Sequence, residues 1–390
     1  MRASVLVSSL VAALVGFGGT LALILAAATA IGATPDESSS LVVALCLGVA
    51  ATSAVLSLRY RMPIVTAWST PGAALIASFG GGIGMPAASG AFLVAAALVL
   101  ACAAARPLSD LVARLPMSVA SAMLAGVLVR FVMALAENAV LVPGVVLPML
   151  VLFLVVRLWS PTAAVLCVLV AGVAAIFGLG LADLGAVRFV APRIVLNAPT
   201  FDASVMFGLG VPLFLVTMAA QNLPGLAVLR ASGYRPPTAP ALAATGTASL
   251  LLAPFGATGI NLAAITAAIC TGPDAHPDPE KRYLCGPVYA LWYVALAALG
   301  ASLVAVFAAL PPAFIATVAG LALLAPLAGA LAGALHVEKD RIAAVATFAT
   351  TASGVSVLGI GAPFWGLAAG LAVLALDQVR GRFATMKPHG

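Results

Sequence analysis

Charge in this chain is confined almost entirely to the gaps between long apolar runs, and that spacing constrains its fold more than any other feature. The runs fall at about 5–31, 38–57, 63–80, 88–105, 117–136, 142–156, 161–182, 203–223, 238–253, 256–270, 285–308, 312–334, 342–358 and 361–378. A helix crossing the hydrocarbon core of a bilayer needs about 20 apolar residues. Fourteen such runs cover about 70% of the 390 residues, and no gap between them exceeds about 20 residues, which leaves no room for a sizeable extramembrane domain. Only 8% of the residues are charged, against roughly 25% in a soluble globular chain. A soluble enzyme is excluded. The expectation is an all-α polytopic membrane protein whose function lies inside the lipid bilayer.

The net charge of +6 reads as a topology signal and not as a nucleic-acid surface. Placing the N-terminus in the cytoplasm puts fifteen of the eighteen Lys and Arg residues on the cytoplasmic side, as the positive-inside rule requires. Among them are Arg59, Arg61, Arg157, Arg230, Arg235, Lys281, Arg282, Lys339 and Arg341; Arg130, Arg188 and Arg193 fall toward the other side. A twelve-crossing arrangement that drops one short segment from each half would put the loops between the dropped segments on the wrong side. Cys46, Cys102, Cys167, Cys270 and Cys285 lack metal-ligand spacing and read as small packing residues. His276, in TGPDAHPDPEKRY, reads as part of a solvated cytoplasmic loop and not as a metal ligand, so neither a metal nor another cofactor is expected.

Segments 3 and 10 are too irregular for ordinary spanning helices. PIVTAWSTPGAAL, from Pro63, places β-branched residues first and then Thr70 and Pro71 as an N-cap and first helical residue. It predicts a short strand followed by a half-helix. APFGATGINLAAITAAIC, from Ala253, has a Pro/Gly-rich lead-in and then a short helix, with Asn261 at its start. Interrupted segments at matching places in two halves point to an inverted repeat of seven plus seven segments, 1–190 and 191–390, with a site at the membrane midplane. An extended chain rising about 3.3 Å per residue from the border near Arg61 brings Trp68, Ser69 and Thr70 to the bilayer centre, about 15 Å in.

Two half-helix N-termini meeting there would aim backbone N–H groups and positive dipole ends at one cavity, which suits an anion such as a carboxylate. The alternative is a pair of kinks satisfied by neighbouring helices. Gln221 and Asn222, near the end of segment 8, are substrate ligands or helix–helix glue. Asn261 contacts substrate or caps its own helix. Trp68, and more weakly Phe255, offer a ring to an apolar substrate or simply pack. All twelve acids map to loops or segment ends, so no midplane carboxylate is available as a proton relay. Glu137 and Asp202 are peripheral candidates.

The strings SLRYRMPIVTAWSTPGAAL (57–75), TMAAQNLPGLAVLRASGYRPP (217–237), APFGATGINLAAITAAICTGPDAHPDPEKRY (253–283) and ASGVSVLGIGAPFWGLAAGL (352–371) resemble the benzoate/proton symporter family, the BenE-type transporters. The resemblance spans nearly the whole chain. It implies proton-driven uptake of benzoate or a related aromatic carboxylate across a bacterial inner membrane, with both termini cytoplasmic. The family is distantly similar to nucleobase and sulfate-type carriers. That likeness implies an elevator motion between a core (1–105 and 203–308) and a gate (117–182 and 312–378), and it makes a second copy of the chain a candidate partner. The places where nucleobase carriers hold acids correspond here to Gln221 and to Ile260 or Asn261, and a fixed carboxylate there would repel benzoate. The expected site holds the carboxylate between Ser69, Thr70 and Gly72 on one side and Gly256, Thr258 and Asn261 on the other. The ring lies against Trp68 and Phe255, and Gln221 and Asn222 add hydrogen bonds. Rival readings are a nucleobase or inorganic-anion carrier on the same fold, a channel, or an integral-membrane enzyme, although the chain has no catalytic dyad or metal cluster motif.

Overall fold

The computed structural model describes residues 2–79, 82–105, 116–178, 180, 191–358 and 360–385. Arg106, Asp110, Arg114, Asp183, Arg188, Lys387 and the end of segment 7 lie outside them. Helices occupy the expected runs, with long ones at Pro35–Tyr60, Met85–Ala104, Met117–Leu141 and Pro312–Leu335. Several outrun their apolar core. Segment 5 continues to Leu141 and segment 14 to Thr385, so Glu137 and Asp377 sit inside helices, both exposed.

Two segments expected to be continuous are broken. Segment 1 is two helices, Ala3–Gly18 and Leu21–Ala30, separated at Gly19 and Thr20. Segment 11 bends by 58° near Leu299. Segment 8 runs from Ala203 to Ala231 through two π turns, Met206–Gly210 and Met218–Asn222. Each π turn ends two residues before a proline, Pro212 and Pro224. A proline has no N–H for the carbonyl four residues back and clashes with it, so the ladder shifts register just ahead of the ring.

Segment 2 packs along segment 11, and segment 4 along segment 9. Segment 5 packs on segments 12 and 13, segment 13 on 14, and segment 6 on 7. Close approach relies on small residues, as between helices in lipid. A side chain at Gly286 on segment 11 would collide with Ser57 of segment 2, and one at Gly320 on segment 12 would meet the Phe131 carbonyl of segment 5.

The centre is a two-stranded antiparallel sheet. Strand β1 (Thr66–Trp68) pairs with β2 (Ile260–Leu262), with Ala67 opposite Asn261. Each strand leads into a half-helix, Thr70–Phe79 after β1 and Ile265–Thr271 after β2. Strands equivalent by a two-fold axis in the membrane plane must run antiparallel, as these do. Inside a bilayer no water can satisfy the sheet edges, and side chains do so instead. Ser53 Oγ of segment 2 accepts the Thr66 N–H at 2.9 Å, and Ser249 Oγ of segment 9 accepts the Ile260 N–H at 2.7 Å. Segments 2 and 9 hold the same place in the two halves, so the two serines are matching clamps. Tyr289 donates to the Thr66 carbonyl at 3.1 Å.

The loop after the second half-helix is more tightly held than its composition suggests. His276 is 6% exposed and accepts the Asp278 N–H through Nδ1 at 3.0 Å. Arg282 donates to the Thr271 carbonyl at 2.8 Å and the His276 carbonyl at 2.7 Å. A cation on the last carbonyls of a half-helix satisfies them and opposes the negative dipole end. For that reason the loop folds back on the protein and is not fully solvated.

Candidate functional site

A cavity of about 80 Å³ lies between the two half-helices, lined by Val15, Gly16 and Thr20 of segment 1, Ala67, Trp68 and Thr70, Gln221, and Ala263 to Thr266. Val15, Thr20, Thr70 and Ile265 also line a larger apolar vestibule of about 440 Å³, which continues along Phe153, Leu154 and Arg157 of segment 6, Val165 and Leu166 of segment 7, and segment 12 from Leu321 to Ala328. Beyond the far end of the first half-helix only about 30 Å³ remains, among Ser78, Phe79, Arg130, Gly354 and their neighbours. The site thus shares lining residues with the larger space on the Arg157 side, while the space by Arg130 is small among the described residues.

Trp68, Thr70 and Gln221 meet on the cavity wall. The Trp68 ring packs against Phe17 and Tyr293 at centroid distances of 5.5 and 5.9 Å, and its indole N–H donates to Thr20 Oγ1 at 2.5 Å. Its polar edge is thus already satisfied, which leaves the ring as an apolar surface. Thr20 is held by its own hydroxyl, which donates to the Gly16 carbonyl at 2.6 Å. The Gln221 amide has no hydrogen-bond partner among the described residues and is only partly buried. It can donate or accept.

The other expected residues occupy different positions. Ser69, and not Thr70, caps the first half-helix: its Oγ accepts the Gly72 N–H at 2.9 Å, and its carbonyl accepts the Ala73 N–H at 2.8 Å. Pro71 has no N–H, so in that first turn Thr70 carries the backbone donor without a partner among the described residues. Gly72 is small because Leu213 of segment 8 packs on it.

Asn222 is fully buried, accepts the Leu262 N–H at 2.9 Å and donates to Asn261 Oδ1 at 3.3 Å, tying segment 8 to β2. Asn261 lies in β2, so the second half-helix begins four residues later, at Ile265, with no side chain capping it. Thr258 and Asn261 line a separate small space with Thr217 and Ser249. Phe255 ends a short 3-10 turn, with its carbonyl accepting from Ser40 Oγ at 3.0 Å. Gly256 takes φ +91°, where a side chain would also strike Met85. These last residues shape the approach to β2 and lie off the cavity.

Among the described residues, no acid lines either cavity. Asp202 caps segment 8, and hydrogen bonds from the Ser204 hydroxyl (2.6 Å) and N–H (2.8 Å) hold its carboxyl below the usual range. Glu137 is exposed near the end of segment 5. Residues absent from the sequence expectation are Thr20 and the turn from Ala263 to Thr266. The Gly-Gly-Thr break in segment 1 was the available signal for Thr20.

Two sequence relatives and one solved structure are similar to this chain. The chain is 38% identical over 384 residues to "Inner membrane protein YdcO" of Escherichia coli (strain K12), covering 97% of each. It is 35% identical over 368 residues to "Benzoate membrane transport protein" of Acinetobacter baylyi, covering 94% of this chain and 93% of that one. Among solved structures it resembles the transmembrane domain of the cyanobacterial bicarbonate transporter BicA, with a TM-score of 0.60 at 14% identity over 95% of this chain and 97% of that one. This likeness shows the fold, a seven-plus-seven inverted repeat. The family model described as "Benzoate membrane transport protein" matches residues 1–376. The chain belongs to that family and is a multi-pass membrane transporter.

Proposed function

We propose that this transporter carries benzoate or a related aromatic carboxylate together with a proton across the bacterial inner membrane, by an elevator motion. The observation that carries the reading is the cavity itself. It is lined by Thr70, whose N–H is unpartnered, by the free Gln221 amide and by the apolar Trp68 ring, with no acid lining it among the described residues. A carboxylate fits the donors, and a developed negative charge is favoured at a helix N-terminus. About 80 Å³ is roughly the room of two or three waters. The carboxylate would therefore occupy the cavity while the ring extends into the vestibule.

Segments 1–4 and 8–11 form the moving core in this reading, and segments 5–7 and 12–14 the gate. The packing of segment 2 on 11, 4 on 9, and 5 on 12 and 13 supports that division. With the Arg157 side in the cytoplasm, as the distribution of Lys and Arg favours, the arrangement is inward-facing. With no acid beside the cavity, the proton is carried by the substrate's own carboxyl group or by a group that approaches only in another conformation.

One observation favours a second reading. The small cavity suits an inorganic anion, and the solved structure of similar fold is that of a bicarbonate transporter.

Labelled benzoate uptake into proteoliposomes under an inward proton gradient tests the first reading, with ionophore and protein-free controls because benzoic acid leaks through lipid. Protein-dependent, ionophore-sensitive accumulation supports it. Uptake no faster than the protein-free leak, from folded protein that bicarbonate or sulfate protects against heating, replaces it with the second.

A further inference from the structure

Among the described residues, Arg157 is the one ionisable residue lining either the vestibule or the site cavity. It stands in the last turn of the helix Pro143–Trp159, is exposed, and has no hydrogen bond or ion pair among the described residues. Its neighbours on the vestibule wall are Phe153, Leu154, Val165 and Leu166. An unpaired, exposed guanidinium at the edge of an apolar passage attracts an anion into it, and salt screens that attraction. Four residues shared between the two spaces make the passage from Arg157 to the Thr70 and Gln221 donors continuous.

We infer that Arg157 is the capture residue for the substrate carboxylate on this side of the transporter. Its charge draws the anion into the vestibule and still favours it once the carboxylate has reached the half-helix site, so it strengthens binding as well as speeding association. Guanidinium suits the role because its planar fork donates to both oxygens of a carboxylate and is weakly hydrated. The inference rests on the proposal that the substrate is a carboxylate.

A residue of this kind has a plainer alternative. A cation in the last turn of a helix opposes the dipole and anchors the segment at the membrane interface. The two roles separate in the dependence of binding on salt. Benzoate binding to the purified full-length protein would be measured at low and high ionic strength for wild type, Arg157→Gln and Arg157→Lys. Capture by Arg157 predicts an affinity about three- to tenfold lower in Arg157→Gln at low salt, with the difference shrinking as salt screens the pair in wild type. Arg157→Lys keeps the charge and most of the salt dependence.

Equal affinity and equal salt dependence in wild type and Arg157→Gln overturn the capture role and leave the functional reading standing. A wild type that binds no aromatic carboxylate overturns the functional reading, and the capture role with it. If Arg157→Gln does not fold, the wild-type salt titration decides: affinity that does not change with ionic strength excludes a charge in the vestibule from capture.

Discussion

Gln221 and Asn222 are adjacent and chemically almost identical, yet they face different surroundings. The π turn from Met218 to Asn222 sets Gln221 on the cavity while Asn222 points into the sheet, where it holds the Leu262 N–H. Substituting each should therefore break a different property. Gln221→Glu puts a fixed negative charge beside the proposed carboxylate and should weaken benzoate binding at least tenfold, about 1.4 kcal/mol, with little change in melting temperature. A calorimetric titration of both proteins checks it, and unchanged affinity would remove Gln221 from the site. Asn222→Ala leaves a buried N–H without its acceptor, which costs about 1–3 kcal/mol. The expected readout is a lower unfolding midpoint in detergent. Sequence alone could not separate these two residues, because which face each presents depends on a register shift two residues ahead of Pro224.

At the level of elements, the strongest constraint is how closely segments 2 and 11 approach. Gly286→Ala would drive a methyl group into Ser57, whose hydroxyl donates to the Ile64 carbonyl at 2.9 Å just before β1. Overpacking of this kind costs about 1–3 kcal/mol. The expected result is a lower melting temperature, together with impaired transport, because the displaced carbonyl leads directly into the strand. The breaks in segments 3 and 10 were legible from STPG and from the Pro/Gly-rich lead-in at Ala253. The start of the second half-helix was not, because Ala263 and Ala264 carry no capping side chain to mark it. The serine clamps were equally hidden: Ser53 and Ser249 lie in ordinary apolar helices, and nothing local shows that a strand edge will meet them.

The whole molecule was legible in outline because hydrophobic length and the placement of Lys and Arg report on a bilayer directly. Lateral order was not, since which helix neighbours which is decided by packing that a single sequence does not record. Seven-segment halves that meet through β1 and β2 and through the packing of segment 2 on 11, 4 on 9, and 5 on 12 and 13 should survive a cut between them. Co-expressed fragments 1–190 and 191–390 are expected to co-purify and to restore part of the transport activity. Recovery of the two fragments as separate species would show that the connection between them is needed for assembly.

The pairing of β1 with β2 also has a consequence for biosynthesis. Thr66 is synthesised nearly 200 residues before its partner Leu262, a delay of roughly 10–40 s at about 5–20 residues per second. Throughout that interval β1 is inserted with one edge unpaired, although Ser53 already holds the other. The first half must therefore wait in the membrane with an open strand edge. The insertion machinery, or water drawn in around the half-helix, has to shelter that edge until the ribosome delivers its complement.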